Sequence, residues 1–316
     1  MELLKACFIG VGSIAKRHIR NLNCICKEDG IKIQIDAVKR SGKKETGDDI
    51  YELITNIYTN IEDSGTVYDL IFITNPTEYH LETLQKVTPY GKHFFIEKPI
   101  VSITQLEMLQ MYKAKTDAVY YVACPLRYNA VIQYIKNNLK KESIISVRSI
   151  SSSYLPEWRP GQDYRNTYSA HKELGGGVSI DLIHEWDYLT FLFGKPSRVN
   201  YMSGKKSNLE IDSDDYAIYI GEYSDKIVEV HLDYFGRKTL RDITIFTEED
   251  TIVGDIANNR ISYLKSGKVI DFQEERDDYQ KRELRHFLGM IKGNSQSDSD
   301  IKHAVDVLKL TQGELL

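Results

Sequence analysis

The sequence predicts an α/β protein with two domains: an N-terminal doubly wound parallel (Rossmann) sheet and a C-terminal α+β domain with a large open, mainly antiparallel sheet. Apolar strand patterns alternate with helical patterns over residues 1–122, which indicates parallel strands joined by crossovers. Runs of two-residue periodicity follow between Val199 and Phe272, as in antiparallel strands. A chain of 316 residues is also long for one core. We therefore place the domains at residues 1–122 and 123–316.

The composition is that of a soluble globular protein, with 41% hydrophobic and 28% charged residues and a formal net charge of −5. No basic tract suits a nucleic acid, and no apolar run reaches the roughly 18 residues of a membrane span. The stretch MELLKACFIGVG enters a strand directly and lacks the pattern of a signal peptide. We expect a cytoplasmic protein with neither a nucleic-acid nor a membrane partner.

The predicted elements of the first domain alternate strictly. The strands are predicted at residues 5–10, 31–39, 70–74, 93–96 and 118–123, and the helices at 13–23, 48–55, 78–87 and 103–115. The segment LIFIT at residues 70–74 shows no polar alternation, as expected of a strand that is covered on both faces.

The second domain begins with a helix at residues 129–139 and a half-buried strand at 144–153. A polar loop at 156–173 leads into a glycine-rich turn and a further helix. After the antiparallel runs, two helical patterns at about 277–291 and 299–315 end the chain.

A glycine motif follows the first strand and opens the first helix, which is where a dinucleotide-binding motif belongs. Gly10 permits the tight turn, Gly12 lets the backbone approach a pyrophosphate, and the small Ala15 allows close packing of helix on strand. Ser13 and Ile14 begin the helix, whose amide groups favour phosphate. The alternative is an ordinary glycine-rich turn.

The end of the second strand bears on the choice of cofactor. An acidic residue there would bind the ribose hydroxyls of NAD, but this chain carries Lys39, Arg40 and Ser41. Two cations and a hydroxyl suit the 2′-phosphate of NADP, which Arg can bind with two hydrogen bonds. Asp36 lies earlier in the strand. We therefore predict NADP in preference to NAD, with solvated loop charges as the alternative.

Two polar motifs come at the carboxyl ends of later strands, where ligands of open α/β sheets bind. One is TNPTEYH and the other is IEKPI. Cofactor contacts are expected from Thr74, Asn75, Pro76, His80, Glu97 and Lys98. Lys98 could also donate to a substrate hydroxyl and lower its pKa, whereas an inert Glu–Lys pair is the alternative.

The stretch GGGVSIDLIHEWDYL spaces Asp181, His184 and Asp187 by three residues on a predicted helix. A histidine can take a hydroxyl proton as hydride leaves the same carbon, and Asp181 would orient its ring. A core histidine with a hydrogen-bond partner is the alternative. A metal site would need further ligands that the sequence does not mark, so no metal is predicted.

The polar loop before this helix combines an aromatic face with planar donors, which suits a sugar ring or the phosphates of a nucleotide sugar. A solvated loop is the alternative. The predicted substrate-binding residues are Arg127, Trp158, Arg159, Tyr164, Arg165, Asp181 and His184.

Together, GVGSIAKRH, TNPTEYH and IEKPI resemble the glucose–fructose oxidoreductase, inositol dehydrogenase and rhizopine-catabolism family (Gfo/Idh/MocA). The resemblance covers nearly the whole chain and implies that an Asp and a His face the nicotinamide. The usual family spacing from Asp to His is four residues, whereas Asp181 to His184 is three, as in a subgroup with a DLxHE motif linked to bacterial surface sugars. Either Asp181 or Glu185 then fills the acidic position.

The predicted function is hydride transfer between NAD(P) and a secondary hydroxyl or ketone of a sugar or nucleotide sugar. In this scheme His184 handles the proton, Lys98 polarises the oxygen and Asp181 holds His184. The alternatives are a redox-neutral epimerase or eliminase that uses tightly bound NAD, and a non-catalytic NADPH-binding protein. An exposed apolar face of the open sheet predicts a homodimer or homotetramer.

Overall fold

The computed structural model describes four stretches of the chain: residues 3–44, 47–140, 143–295 and 297–314. The strands are β1 Leu4–Ile9, β2 Ile33–Val38, β3 Ile57–Tyr58, β4 Tyr68–Ile73, β5 Gly91–Ile96, β6 Tyr120–Val122, β7 Ile144–Tyr154, β8 Arg198–Gly204, β9 Tyr216–Glu222, β10 Ile227–Asp233, β11 Phe235–Thr247, β12 Thr251–Asp255, β13 Arg260–Tyr263 and β14 Val269–Asp271. The helices are α1 Ser13–Glu28, α2 His80–Val87, α3 Leu106–Gln110, α4 Ala130–Asn138, α5 Val178–Asp181, α6 His184–Phe193, α7 Arg276–Ile291 and α8 Ile301–Leu310.

The chain divides into two compact units. The first comprises residues 1–123 and 276–305, and the second comprises residues 124–275 and 306–316. The first unit therefore includes α7, a segment that the sequence analysis places in the second domain. No described helix is both long enough and apolar enough to span a membrane.

The first unit is built on a six-stranded sheet with the order β3-β2-β1-β4-β5-β6, in which all pairs are parallel. This is the order of a doubly wound dinucleotide-binding sheet, and its switch point lies between β1 and β4. The fold class is confirmed for this half of the chain.

Aromatic side chains form the core of this unit and explain the position of α7. Phe8 of β1 stacks on Phe72 of β4 with ring centroids 4.3 Å apart. Phe287 of α7 meets Phe72 and Phe95 at steep angles, with centroids 6.2 and 5.4 Å away. Because these rings are fully buried, α7 contributes part of the core of the first unit.

Two predicted helices are much shorter in the structure. Residues 48–55 form a single 3-10 turn, Asp49–Glu52, because the amide of Thr55 already bonds Ile35 and draws the chain along the sheet. Residues 103–115 form a 3-10 turn followed by α3, and the backbone at Lys115 is held instead by the hydroxyl of Tyr120. Tertiary hydrogen bonds end both helices early.

The second unit carries an eight-stranded sheet with the order β14-β13-β12-β11-β7-β10-β9-β8. Only β7 and β10 are parallel to each other, and the remaining neighbours are antiparallel. The mainly antiparallel character predicted for this half is confirmed. One face is buried through Val228, Val230 and Leu232, and the opposite face exposes Ile220 and Ile227.

The predicted single helix through residue 181 is interrupted. α5 ends at Asp181, a turn follows at Leu182 and Ile183, and α6 begins at His184. The expectation that Asp181 and His184 share one regular helical face is therefore wrong. Ahead of α5, a side chain at Gly176 would lie 2.0 Å from the carbonyl oxygen of Tyr168, so only glycine fits there.

Candidate active site

The glycine turn lies at the switch point of the parallel sheet. Gly10 has a φ of 91°, and a Cβ there would come within 3.0 Å of the backbone of Asn75. Both the backbone conformation and the lack of space therefore require glycine. Gly12 is the N-cap of α1, and nothing lies within 4 Å of the position of its absent Cβ. Ser13 is exposed beside it, while Ala15 is buried against the sheet. The open N-terminus of α1 fits a phosphate group.

The loop after β4 supplies a second feature that fits a dinucleotide. Thr74 donates its hydroxyl to the carbonyls of Ile9 and Gly10, which ties the loop to the glycine turn. Asn75 donates its amide to Thr83, but its Oδ1 is buried and has no hydrogen-bond partner among the described residues. A buried acceptor of this kind fits a donor from a bound cofactor.

The polar residues in and after β2 differ in whether they are already hydrogen-bonded inside the unit. Asp36 is 1% exposed and accepts hydrogen bonds from Gln34, Tyr68 and Asn56, the last through both backbone and side chain. Its carboxylate is therefore committed inside the unit.

The two cations after β2 differ as well. Lys39 donates to the hydroxyl of Tyr51 over 2.8 Å, so its ammonium is already bonded inside the unit. Arg40 is exposed, and its guanidinium lies 5.7 Å from the ring centroid of Tyr79. It forms no salt bridge within the described residues. Ser41 is exposed next to it. Of the two cations, Arg40 is the better placed to meet a phosphate.

The EKP segment follows β5, as predicted. The carboxylate of Glu97 lies 2.5 Å from Nε2 of His18, and the peptide bond between Lys98 and Pro99 is cis. Burial alone would raise the pKa of Glu97, but the hydrogen bond from His18 and the nearby charges of His18, Lys98 and His80 together lower it. Glu97 therefore carries negative charge next to Lys98 at neutral pH.

His80 is not exposed towards a ligand. It is 1% exposed, its Nδ1 lies 3.0 Å from the carbonyl oxygen of Pro99, and its Nε2 lies 2.8 Å from that of Asn75. Burial lowers its pKa. The structure thus favours a role for His80 in joining two loops over the predicted contact with the cofactor. Pro76, also a predicted contact, caps the short turn that follows β4.

In the second unit, two tyrosines hold Asp181. The hydroxyls of Tyr168 and Tyr234 each donate to one oxygen of its carboxylate, both over 2.5 Å. Burial and the charge of Asp181 raise the pKa of Tyr234 well above its ordinary value, so it stays a donor. Sequence analysis missed both tyrosines, and the only signal was a Tyr-rich composition of 21 residues.

The other carboxylates of the motif are engaged with arginines. Asp187 accepts two hydrogen bonds, of 2.8 and 2.7 Å, from the guanidinium of Arg127, which is 1% exposed. Glu185 is fully buried and accepts from Arg241 over 2.8 Å, and burial raises its pKa. Arg127 therefore braces α6 from within the fold, a geometry that does not favour its predicted contact with substrate.

His184 stands between these groups in sequence, as the first residue of α6. It is half-buried, whereas Asp181, Glu185 and Asp187 are buried. The imidazole is therefore the most accessible polar side chain of the DLxHE stretch.

The predicted substrate loop packs beside the Asp181 cluster. Trp158 meets the ring of Tyr234 edge-on with centroids 5.2 Å apart and donates to Ser153. Arg159 lies over the ring of Tyr168 at 5.5 Å. Trp158 and Arg159 line a small pocket together with Tyr164 and Thr167. These contacts link the loop to the residues that hold Asp181.

Arg165 differs from Arg159 in this loop. Its guanidinium is paired with the carboxylates of Asp163 and Glu210, at 2.8 and 2.6 Å. Arg159 has no such ion pair within the described residues. Arg159 therefore remains a candidate for substrate binding, whereas Arg165 is engaged in fixing the loop.

The described residues contain no group of three or more His, Cys, Asp or Glu side chains that could hold a metal ion.

A doubly wound sheet with an open helix N-terminus at its switch point defines a dinucleotide-binding protein. Residues 4–124 match the model of an oxidoreductase family, NAD-binding Rossmann fold, and residues 136–313 match the C-terminal alpha/beta domain of the same family. The chain belongs to this family, Gfo/Idh/MocA. The predictions of family and of a nicotinamide-dependent oxidoreductase are confirmed, while the DLxHE subgroup stays a prediction.

The similar proteins described below are distant from this chain in sequence. The chain is 22% identical to scyllo-inositol 2-dehydrogenase (NAD(+)) of Bacillus subtilis (strain 168) over an alignment of 330 positions, which covers 96% of this chain and 91% of the relative. The structure of UDP-N-acetylglucosamine 3-dehydrogenase GnnA from Acidithiobacillus ferrooxidans matches with a TM-score of 0.77 at 18% identity, over 99% and 96% of the two chains. A levoglucosan dehydrogenase complex with NADH and levoglucosan matches with a TM-score of 0.81 at 15% identity and the same coverage. At such identities the structural matches establish the fold.

Proposed function

We propose that this protein transfers hydride between a nicotinamide cofactor, with NADP preferred, and a secondary hydroxyl or ketone of a sugar or nucleotide sugar. Membership of an oxidoreductase family over both halves of the chain carries this proposal. The relatives named above, dehydrogenases of an inositol, of UDP-N-acetylglucosamine and of levoglucosan, support the substrate class.

The first unit offers the groups that would hold the cofactor. The amides at the N-terminus of α1, next to Gly12 and Ser13, would bind its phosphates, and Oδ1 of Asn75 would accept from one of its donors. When bound, the cofactor supplies the carbon that accepts or gives the hydride.

The preference for NADP rests on what surrounds the end of β2. The only carboxylate of that strand, Asp36, accepts hydrogen bonds from four donor groups inside the unit. Arg40 is exposed, its guanidinium lies 5.7 Å from the ring centroid of Tyr79, and a guanidinium can bind a 2′-phosphate with two nitrogens. Ser41 adds a hydroxyl beside it.

Proton transfer is assigned to two residues. His184 takes the proton of the substrate hydroxyl during oxidation and returns it during reduction. Lys98 donates to the same oxygen, and its positive charge favours the developing alkoxide. Asp181, held by two tyrosine hydroxyls, is proposed to orient His184, and Trp158, Arg159 and Tyr164 are proposed to contact the sugar.

A second candidate is a redox-neutral reaction on a tightly held cofactor. It is favoured by a relative of another reaction class, 2,7-anhydro-N-acetylneuraminate hydratase of Escherichia coli (strain K12). That relative is 27% identical over 144 residues, which cover 45% of this chain and 38% of the relative.

The test compares net reduction of added cofactor with product formation. Purified protein is incubated with NADP⁺ or NAD⁺ and a panel of sugars and nucleotide sugars, and reduced nicotinamide is measured by absorbance alongside products by mass spectrometry. We expect stoichiometric NADPH and ketone with one member of the panel. Product that forms without net reduction would instead support the redox-neutral candidate.

We also propose a homodimer or homotetramer formed through the open sheet. Its outer face exposes Ile150 on β7, Ile220 on β9 and Ile227 on β10. Several exposed isoleucines on one face of a sheet are unfavourable in water. Light scattering should show an oligomer that Ile220→Lys dissociates, and a monomeric wild type would contradict the proposal.

A further inference from the structure

Helix α1 contributes more than its N-terminus to the candidate active site. Its first turn offers amide groups for phosphate, and His18 follows one turn further along the same helix. The His18 side chain is 1% exposed and packs against Phe95, with ring centroids 5.0 Å apart, and against Phe72 at 6.2 Å. A polar ring placed among core aromatics needs a reason to be there.

The contact of His18 with Glu97 has a fixed direction. Its Nε2 lies 2.5 Å from Oε1 of Glu97, and an ionised carboxylate can only accept, so Nε2 carries the proton. Nδ1 is buried and has no hydrogen-bond partner among the described residues. Within the described chain, Glu97 is therefore the hydrogen-bond partner of this imidazole, and the rings of Phe95 and Phe72 pack beside it.

The partner of His18 is the residue immediately before Lys98. The Glu97 side chain is 14% exposed, and the charged or titratable groups that act on it are His18 from α1, Lys98 from its own segment and His80 from α2. On the other side of Lys98, Nδ1 of His80 lies 3.0 Å from the carbonyl oxygen of Pro99. Two histidines from two helices thus contact the residues on either side of the lysine that is proposed to polarise the substrate oxygen.

We propose that His18 is a positioning residue for the reaction: its hydrogen bond holds the carboxylate of Glu97 in place, and Glu97 in turn positions the ammonium of Lys98. This inference rests on the proposed function only in the role given to Lys98. A buried core histidine would then affect turnover. The same helix, α1, would bind the cofactor phosphates and position Lys98.

The first measurement does not depend on turnover. Protein labelled with ¹³C at glutamate carboxyls is titrated by NMR, and the Glu97 signal is assigned with Glu97→Gln. In His18→Phe, which fills the aromatic site but cannot donate, we expect the pKa of Glu97 to rise from its wild-type position. In His18→Gln, which keeps an N–H donor, the rise should be smaller. Arg20→Ala, an exposed change on the same helix, should leave the titration unaltered.

The second measurement separates positioning from folding. We expect His18→Phe to lower kcat about 10- to 100-fold and to move the acid limb of its pH profile upward, while the Kd for NADPH changes by less than about threefold. Glu97→Gln should lower kcat by a similar factor. Partial recovery of kcat in His18→Gln would support the role of the donor.

Several outcomes would overturn the inference. The inference fails if the pKa of Glu97 is the same in the wild type and in His18→Phe. It also fails if Glu97→Gln has the wild-type kcat. Loss of thermal stability and of NADPH binding without a shift of the pH profile would show a merely structural histidine. If wild type reduces no cofactor with any substrate, the proposed function fails, but the NMR titration still decides whether His18 controls Glu97.

Discussion

The two units of the chain hold their candidate functional residues in different ways. In the first unit, the groups that fit a cofactor lie at the ends of four strands that are neighbours in the sheet: the glycine turn after β1, Arg40 after β2, Asn75 after β4 and Lys98 after β5. In the second unit, Asp181 depends on Tyr168 and Tyr234, which are 13 and 53 residues away in sequence. A parallel sheet gathers local motifs at one edge, whereas the second unit builds its site from long-range contacts.

From this difference we expect that substitutions in the second unit lower kcat the most and leave the affinity for the cofactor unchanged. His184→Gln should lower kcat by about 10²- to 10⁴-fold, because the proposed general base is removed. The Kd for NADPH, measured by fluorescence titration, should stay within about twofold of the wild type.

A histidine away from the site provides the control. His231 lies on β10 opposite Ile150, on the outer face of the sheet, and its side chain is 42% exposed. His231→Gln should turn over normally. If His184→Gln retained near-normal kcat on the true substrate, the second unit would not supply the base.

Sequence reasoning succeeds where the place of a residue in the fold follows from its local position in the chain. The positions of Gly10, Gly12 and Lys98 could be predicted because each follows directly from the end of a strand, and strands of a doubly wound sheet are evident from their apolar patterns. It was incomplete where a side chain's role depends on its partner. The sequence offers Arg165 as a binding residue, but Glu210, 45 residues away, engages it.

The same limit explains the break between α5 and α6 and the position of α7. Periodicity predicts one helix through residue 181, yet the tyrosine contacts of Asp181 and the turn at Leu182 have no local signal. The pattern of α7 predicts a helix correctly but not the sheet on which Phe287 packs. Amphipathic patterns report that a face is buried, and they do not report what covers it.

The next prediction concerns the first unit and should affect binding alone. Arg40→Ala should raise the Kd for NADPH about 10- to 100-fold, since hydrogen bonds to a charged group contribute about 1.5–3 kcal/mol. The Kd for NADH should hardly change. Calorimetric titration of both cofactors provides the measurement.

Lys39→Met is the matched variant, because the ammonium of Lys39 is already bonded to Tyr51. It should raise the Kd for NADPH less than Arg40→Ala does. Equal losses of NADH and NADPH affinity in Arg40→Ala would show that Arg40 does not read the 2′-phosphate.

A further prediction tests the long-range construction of the second unit. Tyr234→Phe removes a tyrosine hydroxyl that donates to the buried carboxylate of Asp181, which should lower the free energy of unfolding by about 1–3 kcal/mol. Urea denaturation measures this. Tyr223→Phe removes an exposed hydroxyl that donates to the carbonyl oxygen of Gly194, and should have a smaller effect.

Because Tyr234 is proposed to act through Asp181, the same variant should also lower kcat, with the Kd for NADPH unchanged. A stability loss without any change in kcat would confine Asp181 to a structural role. The second unit would then supply His184 alone to the chemistry.

The smallest expected effect is a difference in KM between variants of two arginines in one loop. Arg159→Gln should raise KM for a nucleotide sugar about 2- to 10-fold, because a single hydrogen bond to substrate contributes about 0.5–1.5 kcal/mol. Arg165→Gln should leave KM nearly unchanged, since its guanidinium is already paired with Asp163 and Glu210 and exposed ion pairs contribute little. Steady-state kinetics on both variants measures the difference. If Arg165→Gln raised KM as much as Arg159→Gln, the two arginines would act on the substrate as one loop, and the ion pairs of Arg165 would have to open on binding.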